Sequence, residues 1–92
     1  MIVRILEHGQ FRLADDQHAR LNELDNAVAA AVAKGDEAGF HSSFEALLEF
    51  VRGQGERVGD AELVTSDVVL PHPEITLAEA REAFAGEGAI PG

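Results

Sequence analysis

Residues 72 to 74 read His-Pro-Glu, the H-x-E spacing with which zinc deaminases pair a metal ligand and a general acid–base carboxylate. That chemistry needs further thiolate ligands on the zinc, and the chain has no cysteine. The other histidines, His8, His18 and His41, include no H-x-x-x-H pair that could seat a metal on one helix face. His72, held between Pro71 and Pro73, therefore reads as a bend residue, and no metal or cofactor site is expected. Among hydroxyls, Ser42, Ser43, Thr65 and Ser66 lie outside any G-x-S-x-G elbow and beside no base with its own orienting group. His41 and Ser42 are neighbours on a helical stretch and so point apart. The order Ser66-Asp67-Val68 is not the D-S-L of an acyl carrier protein, and Gly86-x-Gly88 has no following helix to aim N–H groups at a phosphate. The carboxylates of Glu45, Glu49, Glu79 and Glu82 fall on outward helix positions, where water keeps both members of any pair ionised. No catalytic residue is expected. These four glutamates read as a charged surface.

The balance of charge narrows the partners. Seven basic against 17 acidic residues give a net charge of −10, and Lys34 is the sole lysine. Phosphate backbones and anionic lipid surfaces repel such a chain, and without Trp or Tyr it has few rings on which bases could stack. Neither nucleic acid nor direct membrane docking is expected; a basic protein partner is, the plain alternative being that the charge serves only solubility. With 92 residues the chain is expected to form one domain over 1–92. The opening MIVRILEHGQ is too short in its apolar run for an export signal, and no run of about 20 apolar residues occurs. Absence of cysteine suits a reducing cytoplasm, the expected location.

The elements that must carry these residues are legible in the hydrophobic pattern. Ile2–Glu7 and Gln10–Ala14 are β-rich runs around His8-Gly9 and predict a hairpin. A two-residue loop would put Arg4 on the face of Leu13. A three-residue loop instead gathers Val3, Ile5, Phe11 and Leu13 on one face and leaves Arg4 and Arg12 on the wetter one, with Ile2 and Leu6 partly covered. Asp15 or Asp16 is placed to cap a helix running to Lys34, with the stripe Leu21, Leu24, Val28, Ala31 and Val32, and Gly35 as its left-handed terminator. Asp36 caps a second helix with the stripe Phe40, Phe44, Leu47, Leu48 and Val51, ending at Gly53. So short a link forces an antiparallel αα-hairpin. Gly53–Gly59 reads as a loop, Asp60–Val64 as a helical turn and Asp67–Leu70 as a third strand, stopped by Pro71 and Pro73. Thr76 and Glu79 form a capping box that opens a short last helix with Leu77, Ala80 and Phe84 inward. The expected fold is α+β: a small sheet packed on an antiparallel helix pair, with a C-terminal helix.

Two features fit a binding surface as well as a core. Phe50 lies about 100° round its helix from the stripe, so it needs another partner, either the rest of the chain or a second protein. The run AVAAAVA, Ala27–Ala33, is small and apolar enough for another helix to approach closely, or is simply a good helix former.

MIVRI at the start, LNELDNAV and AKGDEAGF in the helical hairpin, then ELVTSDVVLP, TLAEAR and the closing EGAIPG together resemble the PspA-associated protein family, PspAA, of phage-shock envelope-stress systems. The resemblance spans Met1 to Gly92 and is most specific at Ser66–Pro71, Thr76–Arg81 and Glu87–Gly92. The chain departs from the family pattern at Thr65, where a proline is expected, and at His72 with Pro73 in the bend, where the family is tolerant. The resemblance implies a non-enzymatic adaptor or regulator of PspA, the coiled-coil, ESCRT-III-like protein of stressed inner membranes, with membrane contact only through that partner. Phe50, Glu45, Glu49, Glu79 and Glu82 are the candidate contact residues. The competing readings are a small-molecule or metal-binding regulatory domain and an enzyme with a shallow site.

Overall fold

The computed structural model describes residues 1–59 and 64–83. Among them the elements are β1 (Ile2–Ile5), β2 (Gly9–Arg12), a 3-10 turn (Asp15–Gln17), α1 (His18–Lys34), α2 (Glu37–Gln54), β3 (Glu56–Arg57), β4 (Val68–Leu70) and α3 (Leu77–Ala83). The helical turn expected at Asp60–Val64, the inward Phe84 and the closing segment fall wholly or mostly outside the described residues.

The hairpin adopts the three-residue register: Val3 faces Phe11 and Ile5 faces Gly9, with Leu6, Glu7 and His8 as the loop. Val3, Ile5, Phe11 and Leu13 are all buried, as the pattern requires. The turn lies earlier than the sequence suggests, because Leu6 leaves the hairpin and donates its N–H to the Leu70 carbonyl (3.0 Å). Leu6 is consequently 40% exposed rather than partly covered. The turn closes with the His8 N–H on the Ile5 carbonyl (2.9 Å), and Glu7 takes φ = 71°, the one described non-glycine residue at positive φ.

The sheet has four strands in the order β3-β2-β1-β4. The stretch expected as the third strand is the fourth in chain order and pairs parallel to β1, Val3 against Val68 and Ile5 against Leu70. The two long helices supply the crossover that a parallel pair needs. The additional strand, β3, lies in Gly53–Gly59, which reads as a loop because its two ladder residues are charged and carry no alternation. Its pairing rests on backbone geometry: Phe11 opposite Arg57, Arg12 opposite Glu56, and the Val58 N–H on the Gln10 carbonyl (2.9 Å).

α1 and α2 turn back on each other as the short link demands. Gly35 ends α1 at φ = 69° and donates its N–H to the Val32 carbonyl (3.1 Å), and the Asp36 carboxylate accepts the Gly39 N–H (3.0 Å) to cap α2. Neither Asp15 nor Asp16 caps α1. The 3-10 turn intervenes, Gln17 stands at the N-cap without a side-chain bond, and the Asp15 carboxylate turns to the Met1 amino group at 3.4 Å. α2 runs past Gly53 and stops at Gly55, where a Cβ would lie 2.5 Å from the Val51 carbonyl and 3.1 Å from Phe11 Cβ. Glycine is needed there for the close approach of helix end to β2.

The inner sheet face and both helix stripes form one cluster, with Phe40, Leu21, Leu47 and Val51 fully buried, and Leu24, Leu77 and Phe50 packed at its margin. Of the alanine run, Val28, Ala31 and Val32 enter this core while Ala27, Ala30 and Ala33 face water.

Candidate functional site

The segments that the sequence marks most strongly prove to be local fasteners. The Asp67 carboxylate accepts the Ile2 N–H (2.7 Å) while the Asp67 N–H donates to the Ile2 carbonyl (2.8 Å), so one residue closes the start of β1 onto β4. Ser66 Oγ accepts from the Gln10 side-chain amide (2.7 Å), which also reaches the Val64 carbonyl (3.3 Å). Among the described residues neither side chain is hydrogen-bonded to a base. His72 occupies the expected bend: its carbonyl accepts the Ile75 N–H (3.1 Å), and its Nδ1 lies 3.8 Å from Glu7 Oε2.

The capping box forms in full. The Thr76 N–H donates to Glu79 Oε1 (3.2 Å), and the Glu79 N–H donates to Thr76 Oγ1 (3.2 Å). The Thr76 backbone bond, then its hydroxyl, and last the nearby His72 hold the Glu79 carboxyl below its ordinary value of 4.5, against a small opposing effect of burial. Among the described residues no three His, Asp or Glu side chains are grouped to hold a metal ion.

Two depressions open on the described surface. One, of about 450 Å³, lies at the end of β2 between Met1, Arg12, Asp15, Gln54 and Glu56. It is broad and open. The other, of about 260 Å³, runs along one flank of α2 between His41 and Arg52, floored by Phe44 and Leu48, rimmed by Glu45 and Glu49, and walled by Pro73. Helical spacing explains the alignment: residues 41, 45, 48, 49 and 52 share a flank, and Pro73 faces it because the bend after β4 leaves the sheet beside α2.

Of the candidate contact residues, Glu45 and Glu49 are exposed and stand together on the cleft. Glu79 and Glu82 are exposed on α3, a separate helix. Phe50 is half-buried against the core and sits about 100° round α2 from Glu49, so it does not share the cleft. His41, Arg52 and Pro73 were not singled out for this flank, although the i, i+4 spacing to Glu45 and Glu49 was legible. Asp25 was missed altogether. It is 0% exposed on the inner face of α1, and its signal was a carboxylate within the apolar stripe, four residues after Leu21 and three before Val28.

No helix among the described residues is long and apolar enough to cross a membrane. No curated protein and no solved structure matches the chain. The model of the PspA-associated protein family matches residues 1–92, so the chain belongs to the PspA-associated protein family, PspAA.

Proposed function

We propose that this chain is a non-enzymatic interaction module that binds PspA as an adaptor or regulator in the cytoplasm, reaching the membrane only through that partner. Membership of the family supports the partner, and the net charge of −10 is the observation that carries the mode of binding. An acidic domain competes with anionic lipid for basic segments of a membrane-binding protein, and its field speeds encounter with them. Glu45 and Glu49 on α2, Glu79 and Glu82 on α3 and the margin at Phe50 are the side chains assigned to the contact.

The test is an equilibrium titration against PspA from the same organism in low and high salt. Saturable binding that weakens as salt rises is expected, since a screening length of about 10 Å at 0.1 M leaves little attraction between exposed charges at high salt. Tight binding that ignores salt would remove the electrostatic mode. Absence of binding to folded PspA in both buffers would remove the partnership.

A further inference from the structure

The α2 flank carries more than negative charge. Its cleft of about 260 Å³ lies just below the roughly 300–1,000 Å³ range of small-molecule sites, and it suits one long side chain rather than a cofactor or a whole helix. At its base Phe44 and Leu48, 2% and 4% exposed, present a narrow apolar strip between charged side chains. Above that floor, Glu45 and Glu49 stand one helical turn apart, about 5–6 Å between Cβ atoms. A shallow cleft with an apolar strip at its base, Pro73 as one wall and a carboxylate pair at its mouth matches a side chain that is hydrocarbon along its stem and cationic at its tip.

We infer that the cleft is the receptacle for a single arginine on a basic helix of the partner protein. The inference rests on the reading of this chain as a PspA-binding module and says where, and by which group, that binding is made. The stem lies along Pro73 and the narrow strip of Phe44 and Leu48, and the guanidinium meets the two carboxylates. Arginine fits better than lysine because a planar fork of five donors can serve both carboxylates, whereas an ammonium is a compact point charge. The wall is preformed: the turn from His72 to Ile75 is closed by its own hydrogen bond, so little ordering is required on docking. Arg52 closes one end of the cleft, and at the other His41 stands 4.0 Å from Glu37. A second basic residue of the partner is therefore repelled from the Arg52 end and directed toward Glu37.

The experiment titrates PspA against the wild-type chain, Glu45→Gln/Glu49→Gln, and the charge-matched Asp16→Asn/Glu23→Gln on the exposed start of the helical hairpin, with circular dichroism and melting to confirm folding. The cleft variant should lose roughly tenfold or more in affinity, and the matched variant under about threefold. Equal losses would mean that only the overall field matters, and wild-type affinity in the cleft variant would place the contact elsewhere; either overturns the inference while PspA binding stands. If the wild type itself does not bind, the partnership and the inference fall together. A second arm pairs Glu45→Arg/Glu49→Arg with a scan of single Arg→Glu variants of PspA. Recovery of binding by one of them identifies the occupant, and recovery by none overturns the single-arginine assignment.

Discussion

Glu7 sits in the left-handed region that favours glycine, and at φ = 71° its Cβ crowds the following carbonyl, at a cost of about 1 kcal/mol or more. Its carboxylate recovers little: the approach to His72 is 3.8 Å and the side chain is largely in water. Glu7→Gly should therefore stabilise the fold by about 0.5–1 kcal/mol, a rise in Tm of about 2–8 °C, while Glu7→Ala, which removes the charge but keeps the strain, should give no gain. Thermal melts of both variants decide it. Glu79 gives the residue-scale pH dependence. Its folded value lies below 4.5, so its contribution is present above that pH and is lost as pH falls through the lowered value. Because Glu79 is fully exposed the effect is small. Glu79→Gln keeps the capping geometry, so melting curves below about pH 4.5 should fall slightly less steeply in that variant than in wild type.

The two glycines within α2 look alike in the sequence and should respond oppositely to alanine. At Gly53 a Cβ meets nothing within 4 Å, so Gly53→Ala gains helix propensity and should stabilise by about 0.5–1 kcal/mol. At Gly39 the Cβ would fall 2.3 Å from Asp36 Oδ2, which must swing away from the N-cap. Loss of the cap costs about 1 kcal/mol and cancels the propensity gain, so Gly39→Ala should be close to neutral. Denaturant titrations of the two variants would show the difference, and equal stabilisation would mean that the Asp36 cap contributes nothing. The helical hairpin was legible because its signals are local: apolar spacing within each helix, Gly35 at the first end and Asp36 at the second start. The pairing of β4 with β1 was not legible, since register across more than 60 residues depends on where the helices return the chain. β3 was hidden for another reason. Its ladder uses only backbone groups, and Glu56 and Arg57 leave no pattern of burial. The cleft was half legible, for Glu45 and Glu49 follow from helical spacing, whereas the Pro73 wall required knowing where the bend after β4 lies.

At the scale of the whole molecule, a single variable should move stability and binding in opposite directions. With 17 acidic against seven basic residues, like charges crowd the folded surface more than they crowd the extended chain. Raising NaCl from about 0.01 M to about 0.1 M shortens the screening length from about 30 Å to about 10 Å, which relieves that repulsion and should raise Tm. The same change should weaken association with PspA, because the attraction it screens is the one that the acidic surface supplies. Neutralising Asp16 and Glu23 should flatten the salt response of Tm while leaving most of the affinity, and neutralising Glu45 and Glu49 should flatten the former and remove most of the latter. Parallel melts and titrations over one salt series test this. A Tm that does not rise with salt would show that the excess charge is spread too thinly to strain the fold, and its role would then lie wholly in recognition.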